Sequence, residues 1–291
     1  MADGVGFIGL GVMGEPMCRN LAMKSGRAIR AYDLRVEPLD RLAAHGVMRS
    51  QGVADTARGA GVVFLSLPGG EELGAVAGEL LDAMQRGQTL VDLTTAPVGL
   101  TRELAARFAT RGIAYADAPV ARTRAAAEAG TLSITVGATP ADFQAIEPLL
   151  RCLASEVTHC GPVGCGQVVK ILNNMVIFET GVALAEALAI GRRAGVEPKL
   201  LFEALSKGSA DSFALRNHGM KAMLPGEFPL RAFSARYALK DLSYALALAA
   251  DGGLDAAGAR LAGEKLRAAI AAGDGENYWP VILRAIDRPA R

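Results

Sequence analysis

Val5-Gly6-Phe7-Ile8-Gly9-Leu10-Gly11-Val12-Met13-Gly14 is the run that decides the fold class. A short apolar strand leads into glycines spaced G-x-G-x-x-G, and the segment after them, Pro16 to Lys24, has helical periodicity. That strand, turn and helix form the context a dinucleotide phosphate needs. Gly9 allows the tight turn, Gly11 lets the backbone approach a pyrophosphate, and Gly14 permits helix and strand to pack closely. The helix N-terminus offers unpaired N–H groups to the anion, with Leu10, Val12 and Met13 completing the binding loop. Taken alone, the motif also suits a glycine turn in an ordinary α/β protein. Asp33 narrows the choice, because it ends the second strand about 20 residues beyond the glycines, where a carboxylate accepts the adenine-ribose hydroxyls. The same carboxylate repels a 2′-phosphate, so NAD is favoured over NADP; Arg30 and Arg35 nearby keep NADP open.

Outward from this run, short β-rich stretches alternate with amphipathic ones as far as residue 160, the pattern of βαβ units. The expected strands are Val5–Ile8, Ala28–Tyr32, Val62–Leu67, Leu90–Leu93, Ile113–Asp117, Leu132–Val136 and Glu156–His159. Several are apolar nearly throughout, as strands covered on both faces are. The reading is an α/β fold with a Rossmann-type doubly wound parallel sheet, followed by an all-helical C-terminal part. Cys160-Gly161-Pro162-Val163-Gly164-Cys165-Gly166 interrupts regular structure, which sets the boundaries at 1–162 for a dinucleotide-binding domain and 163–291 for a helical substrate and oligomerisation domain. Gln167 to about Arg193 reads as one long helix, too apolar around its circumference for a surface position.

With 291 residues, 51% apolar and 21% charged, the chain has length for two domains and a sizeable core. Lys plus Arg total 31 against 30 for Asp plus Glu, without basic runs, which argues against a nucleic-acid partner. Lys170, Glu179, Glu186 and Arg192 punctuate the greasiest stretch, so no membrane association is expected. Cys18, Cys152, Cys160 and Cys165 lack metal-ligand spacing, and His45, His159 and His218 form neither a triad nor a metal set. A start at Met1 that runs straight into a strand leaves no room for a signal peptide. The expectation is a soluble, cytoplasmic protein without a metal.

The glycine run with Pro16-Met17 and Asn20-Leu21, then Asp117-Ala118-Pro119-Val120, Gly130-Thr131-Leu132, Gly164-Cys165-Gly166-Gln167, Lys170-Ile171-Leu172-Asn173-Asn174 and Lys240-Asp241-Leu242, resemble the β-hydroxyacid dehydrogenase family. That family includes 3-hydroxyisobutyrate dehydrogenase, tartronate semialdehyde reductase and, more distantly, 6-phosphogluconate dehydrogenase. The resemblance implies an NAD(P)-dependent oxidoreductase of CH–OH groups, with an active site between a Rossmann-type and a helical domain and a homodimer or homotetramer as the assembly. It implies Lys170 as the catalytic lysine and Asn174 as a substrate-binding residue. It also implies cofactor contacts from Thr95 beside the nicotinamide, Leu67-Pro68 near a ribose, and Lys240. The spacing of Lys170 and Asn174 makes independent sense: one helical turn apart, an ammonium and an amide project side by side. Asn173 either touches substrate or serves a local hydrogen-bond network. Thr95 also suits a helix N-cap before Pro97.

After Pro119-Val120 the sequence departs from the family. Most members read Ser-Gly-Gly, which grips a substrate carboxylate with a hydroxyl and backbone N–H groups; this chain has Ala121-Arg122-Thr123. A similar Arg-Thr pair occurs in the 3-sulfolactaldehyde reductase branch, and it puts a guanidinium where a small anionic substrate would be bound. Arg124 either supports that patch or faces water. The expected activity is hydride transfer between a short anionic 3-hydroxy acid, or a related hydroxy-sulfonate, and its semialdehyde. The rivals are an imine reductase on the same scaffold, whose members usually lack the lysine, and a non-catalytic dinucleotide-binding protein.

Overall fold

The computed structural model describes residues 4–230 and 232–287. Its first half alternates strand and helix: β1 Gly4–Ile8, α1 Gly14–Lys24, β2 Ile29–Tyr32, α2 Glu37–Ala43, β3 Met48–Arg49, α3 Val53–Ala57, β4 Ala60–Leu65 and α4 Gly70–Ala83. There follow β5 Thr89–Asp92, α5 Val98–Thr110, β6 Ala114–Asp117, β7 Val120–Ala121, α6 Arg124–Ala129, β8 Leu132–Gly137, α7 Pro140–Leu150 and β9 Ala154–Gly161. The strands form one sheet in the order β3-β2-β1-β4-β5-β6-β8-β7, with β9 paired to β8. Strands β3 to β6 of that order are all parallel, so the chain reverses its direction of travel across the sheet between β1 and β4. That reversal is the switch point at which such sheets bind ligands.

Alternation along β1 divides the core between the two faces of the sheet. Val5 and Phe7 pack with Met17 and Leu21 of α1, while Ile8 joins Val63, Leu65, Leu73 and Leu80 on the opposite face. Phe7 and Phe64, on the paired strands β1 and β4, stack at 6.1 Å between ring centroids.

The fully parallel sheet expected from the sequence needs one correction. The pairs Asp117↔Gly137, Val120↔Ile134 and Ala121↔Ser133 keep a single antiparallel register, so β8 runs back along the line of β6 and β7. The link from β7 to β8 carries only the six-residue α6, too short for the crossover a parallel neighbour requires.

The described residues beyond β9 contain no further named strand. They form α8 Cys165–Arg193, α9 Pro198–Leu205, a π-helical stretch Leu215–Met223, α10 Ala235–Asp251, α11 Ala257–Ala269 and α12 Ile282–Ile286. Two isolated bridges, Leu230↔Asn277 and Ser234↔Tyr278, supply the only β pairing there. Compactness divides the chain at Lys170 and Ile171, inside α8 rather than in the turn before it. The second unit has its own core of Phe178, Val182, Leu188, Phe202, Leu242 and Trp279. Gly181 is required there, because a Cβ would lie 2.4 Å from the Trp279 ring. In length and composition α8 is apolar enough to cross a membrane, a test the core helices of soluble proteins also pass. Phe178, Val182, Leu184 and Leu188 are buried, whereas Val169, Leu172, Val176 and Ile190 are exposed on the chain by itself.

Candidate active site

Apart from Lys240, which lies on α10, the residues expected at a dinucleotide stand at the carboxyl ends of β1, β2, β4 and β5. Gly9 has φ +92°, and a Cβ on Gly14 would lie 2.0 Å from the Gly9 carbonyl oxygen, so both glycines are fixed by the protein's own packing. Gly11 is different. A Cβ there would meet no protein atom within 4 Å, so folding does not demand glycine at this position. The open space would let a phosphate approach the backbone there, and α1 begins beside it with no side chain capping its N-terminal N–H groups. Asp33 closes the loop from the next strand: Oδ2 accepts the Leu10 N–H at 2.6 Å and Oδ1 accepts the Arg35 N–H at 2.8 Å. The Arg35 guanidinium also reaches Asp33 at 3.2 Å and the Leu10 carbonyl at 2.9 Å. Carboxylate and cation thus stand together just beyond the end of β2, against the glycine loop. These features fit an NAD(P) dinucleotide.

On the other side of the switch point, the Thr94 hydroxyl accepts the Leu67 N–H at 3.1 Å and so ties the ends of β4 and β5 together. Thr95 is half-buried, and α5 starts at Val98 with Pro97 in the N-cap position and no side-chain cap, so Thr95 does not serve as that helix's N-cap. Beneath this loop, Asp92 of β5 faces Asp117 of β6. Burial pushes the Asp92 carboxyl up to about 7, although the Thr94 and Tyr115 hydrogen bonds favour its charged form. Burial likewise pushes Asp117 up to about 6, opposed by the N–H groups of Gly164 and Gln167.

A carboxyl raised in the folded state holds a proton that the unfolded chain has lost. Its contribution to stability is therefore complete below the unfolded value of about 4 and is lost as pH rises through the folded one. His218 works in the opposite sense at lower pH, since burial pulls it down to about 4 and keeps it neutral beside the Tyr278 hydroxyl. The discriminating measurement is accordingly a difference. The melting midpoint of Asp92→Asn should gain on the wild type as pH rises from about 5 to 8. A difference independent of pH would show that Asp92 stays ionised throughout.

The second unit contains an anchored amide of its own. Asn174, 4% exposed, donates from Nδ2 to Asp241 Oδ2 at 2.7 Å and accepts from Asn173 Nδ2 at 3.2 Å. Asn173 thus belongs to the local network. Lys240 Nζ lies 3.1 Å from Asp241 Oδ1, out of line for a hydrogen bond, and 5.1 and 5.3 Å from the Tyr237 and Tyr244 ring centroids. Lys170 sits half-buried on the same helix as Asn174, one turn earlier. The sequence reading had no role for Asp241. The available signal was an acidic residue among the apolar positions of α10, where only a buried partner offsets the cost of desolvation.

The loop after Pro119 holds a further departure. Arg122 is the one non-glycine with positive φ among the described residues, at +84°. Its Nη1 donates to the Thr131 carbonyl at 2.6 Å and to the Ser155 hydroxyl at 2.8 Å, so one arm of the fork is turned back onto the fold. The Thr123 hydroxyl accepts the Ala126 N–H as N-cap of α6, and Arg124 pairs with Glu128 along that helix at 2.8 Å. Ala121 precedes them at the end of β7.

A nucleotide-type sheet with a glycine loop at its switch point, followed by helices, defines the class of dinucleotide-binding oxidoreductases. Residues 4–161 match the NAD-binding domain of 6-phosphogluconate dehydrogenase, and residues 164–285 match the NAD-binding domain of NADP-dependent 3-hydroxyisobutyrate dehydrogenase. The chain is 35% identical to 2-(hydroxymethyl)glutarate dehydrogenase of Eubacterium barkeri over 85% of its own length and 83% of that enzyme. It is 36% identical to human mitochondrial 3-hydroxyisobutyrate dehydrogenase over 70% of its length, an alignment spanning 62% of the human protein. A solved structure of Mycobacterium tuberculosis 3-hydroxyisobutyrate dehydrogenase with L-serine superposes with a TM-score of 0.91 at 27% identity, covering 99% of this chain and 100% of that one. The chain belongs to the β-hydroxyacid dehydrogenase family and is an NAD(P)-dependent oxidoreductase of CH–OH groups.

Proposed function

We propose that the protein interconverts a short anionic 3-hydroxy acid, or a hydroxy-sulfonate of similar size, with its semialdehyde, and that Lys170 is the general acid and base. The observation that carries this reading is the pairing on α8. Lys170 and Asn174 stand one turn apart on one face, and the Asn174 amide is held at 2.7 Å by a buried carboxylate. Bound nicotinamide supplies or accepts the hydride. In the reductive direction Lys170 gives a proton to the carbonyl oxygen; in the oxidative direction its neutral amine takes the proton from the hydroxyl. Asn174 orients the reacting oxygen, with Asn173 fixing the amide. The names of two relatives support the substrate class, since 3-hydroxyisobutyrate and 2-(hydroxymethyl)glutarate both carry a CH2OH group on the carbon next to a carboxylate.

The anionic end of the substrate is assigned to Ala121, Arg122 and Thr123. Arg122 retains Nε and Nη2 for a charge-assisted contact while Nη1 is tied back, and the Thr123 hydroxyl can donate its hydrogen while it caps α6. The test is NADH oxidation by the purified protein with 3-sulfolactaldehyde, methylmalonate semialdehyde, tartronate semialdehyde and succinic semialdehyde. Turnover of at least one is required, and NADH binding without turnover of any would leave a dinucleotide-binding protein.

The cofactor-binding residues in this reading are Gly9 to Gly14, Asp33, Leu67, Pro68, Thr95 and Lys240, and the preferred cofactor is NAD. Asp33 should repel a 2′-phosphate, so kcat/KM should be higher with NADH than with NADPH, and Asp33→Ser should narrow the ratio. A wild type that favours NADPH ten-fold, about 1.4 kcal/mol, would give control of the pocket to Arg35.

A further inference from the structure

Helix α8 begins with backbone N–H groups that no residue of the helix can satisfy. A carboxylate from the sheet takes them. Asp117, at the end of β6, accepts the Gly164 N–H on Oδ1 and the Gln167 N–H on Oδ2, both at 2.7 Å. The Gln167 side chain then reaches the neighbouring strand end. Its Nε2 donates to the Thr94 carbonyl at 2.6 Å and its Oε1 accepts the Ala96 N–H at 3.2 Å, so the amide spans the backbone on either side of Thr95. From β8 the Thr135 hydroxyl donates to the Gly166 carbonyl at 3.0 Å.

Asp117 and Gln167 both have 0% exposure, and neither reaches a site where it could touch substrate through solvent. A buried glutamine is costly unless both ends of its amide are paired, and here both are. Gly166 closes the junction from below. A Cβ there would come within 2.6 Å of the Thr135 carbonyl oxygen and 2.8 Å of Asp117 Oδ2, so the turn can lie this close to the sheet only as glycine. The first turn of α8 is thereby joined to the ends of β5, β6 and β8 at once.

We propose that Gln167 and Asp117 are positioning residues that hold Lys170, three residues beyond Gln167, in register with the Thr94–Ala96 loop. This rests on the reading of Lys170 as acid and base and of Thr95 as a neighbour of the nicotinamide. Hydride transfer and proton transfer must meet the two ends of one carbonyl together. A misplacement of about 1 Å between the groups responsible can cost ~10²-fold in rate. Gln167 links those two groups through backbone bonds that a side-chain packing contact could not replace.

The test is a double-mutant cycle in single-turnover NADH oxidation, with Gln167→Met, Lys170→Ala and the double variant. Methionine keeps the volume of glutamine and removes both hydrogen bonds; Gln167→Glu, which keeps an acceptor for Ala96 but offers Thr94 no amide donor, stands in if the methionine variant does not fold. Gln167→Met should slow the wild type about 10-fold or more and should slow the Lys170→Ala protein less than about two-fold, because the group it positions is gone. NADH affinity should stay within about two-fold, as an interaction confined to the reacting end of the site requires. Equal slowing in both backgrounds, or a lower melting midpoint with unchanged rate, overturns the proposal. Wild-type turnover by Lys170→Ala alone removes the acid/base reading, and the positioning role falls with it.

Discussion

Lys170→Ala is expected to lose at least ~10²-fold in kcat, with the NADH dissociation constant changed by no more than about two-fold, in line with the contribution of general acid–base groups. The split between the two quantities is the informative part. The glycine loop and Asp33 lie at the ends of β1 and β2, so on the proposed reading the adenine half of the dinucleotide would be held without help from α8. Oxidation of the hydroxy acid should also quicken as pH rises, because only the uncharged amine can accept the hydroxyl proton. The reductive direction should show the reverse trend. A flat profile in both directions together with an active Ala variant would take proton transfer away from this residue.

What the sequence made legible follows from burial. β1, β4 and β5 are covered on both faces, so they read as unbroken apolar runs and their places were found to within a few residues. β3 and β7 have two residues each and carry no periodicity to detect, and α2, α3 and α6, at five to seven residues, are too short for a helical repeat to show. The direction of β8 was hidden for another reason. A strand's residues record what covers it, while its direction is set by the length of the chain that precedes it.

The candidate site divides along the same line. Gly9 and Gly14 were legible because a local geometry demands glycine, and the structure shows that demand in φ +92° at Gly9 and in the 2.0 Å a Gly14 Cβ would leave to the Gly9 carbonyl oxygen; the 2.6 Å bond from Leu10 to Asp33 is a contact the sequence did not announce. Asp117, Gln167 and Asp241 stood in plain view within quoted motifs, yet their work lies in contacts 50, 73 and 67 residues away along the chain. Spacing cannot report a partner at that separation. Their common signature is a polar side chain without exposure in an apolar neighbourhood, which only the folded chain displays.

Arg122→Gly is expected to lower kcat/KM for the true substrate by roughly 10–150-fold, the range of a charge-assisted contact of about 1.5–3 kcal/mol, while leaving the melting midpoint nearly unchanged. The second half of this expectation comes from the backbone. At φ +84° an arginine pays about 1–2 kcal/mol for crowding its Cβ, and glycine adopts this conformation freely. That relief offsets the loss of two exposed hydrogen bonds to Thr131 and Ser155. An arginine held against that strain points to a task for its side chain, and the proposed anion contact is one such task. If the anion is a sulfonate, three acceptor oxygens can engage Arg122 and the Thr123 hydroxyl together, and 3-sulfolactaldehyde should outcompete the carboxylate semialdehydes. The opposite pattern is equally clear. A variant that melts well below the wild type yet keeps its kcat/KM on a carboxylate substrate would make Arg122 a brace between β7, β8 and β9, and the anion would then have to be held by the backbone N–H groups of the same loop.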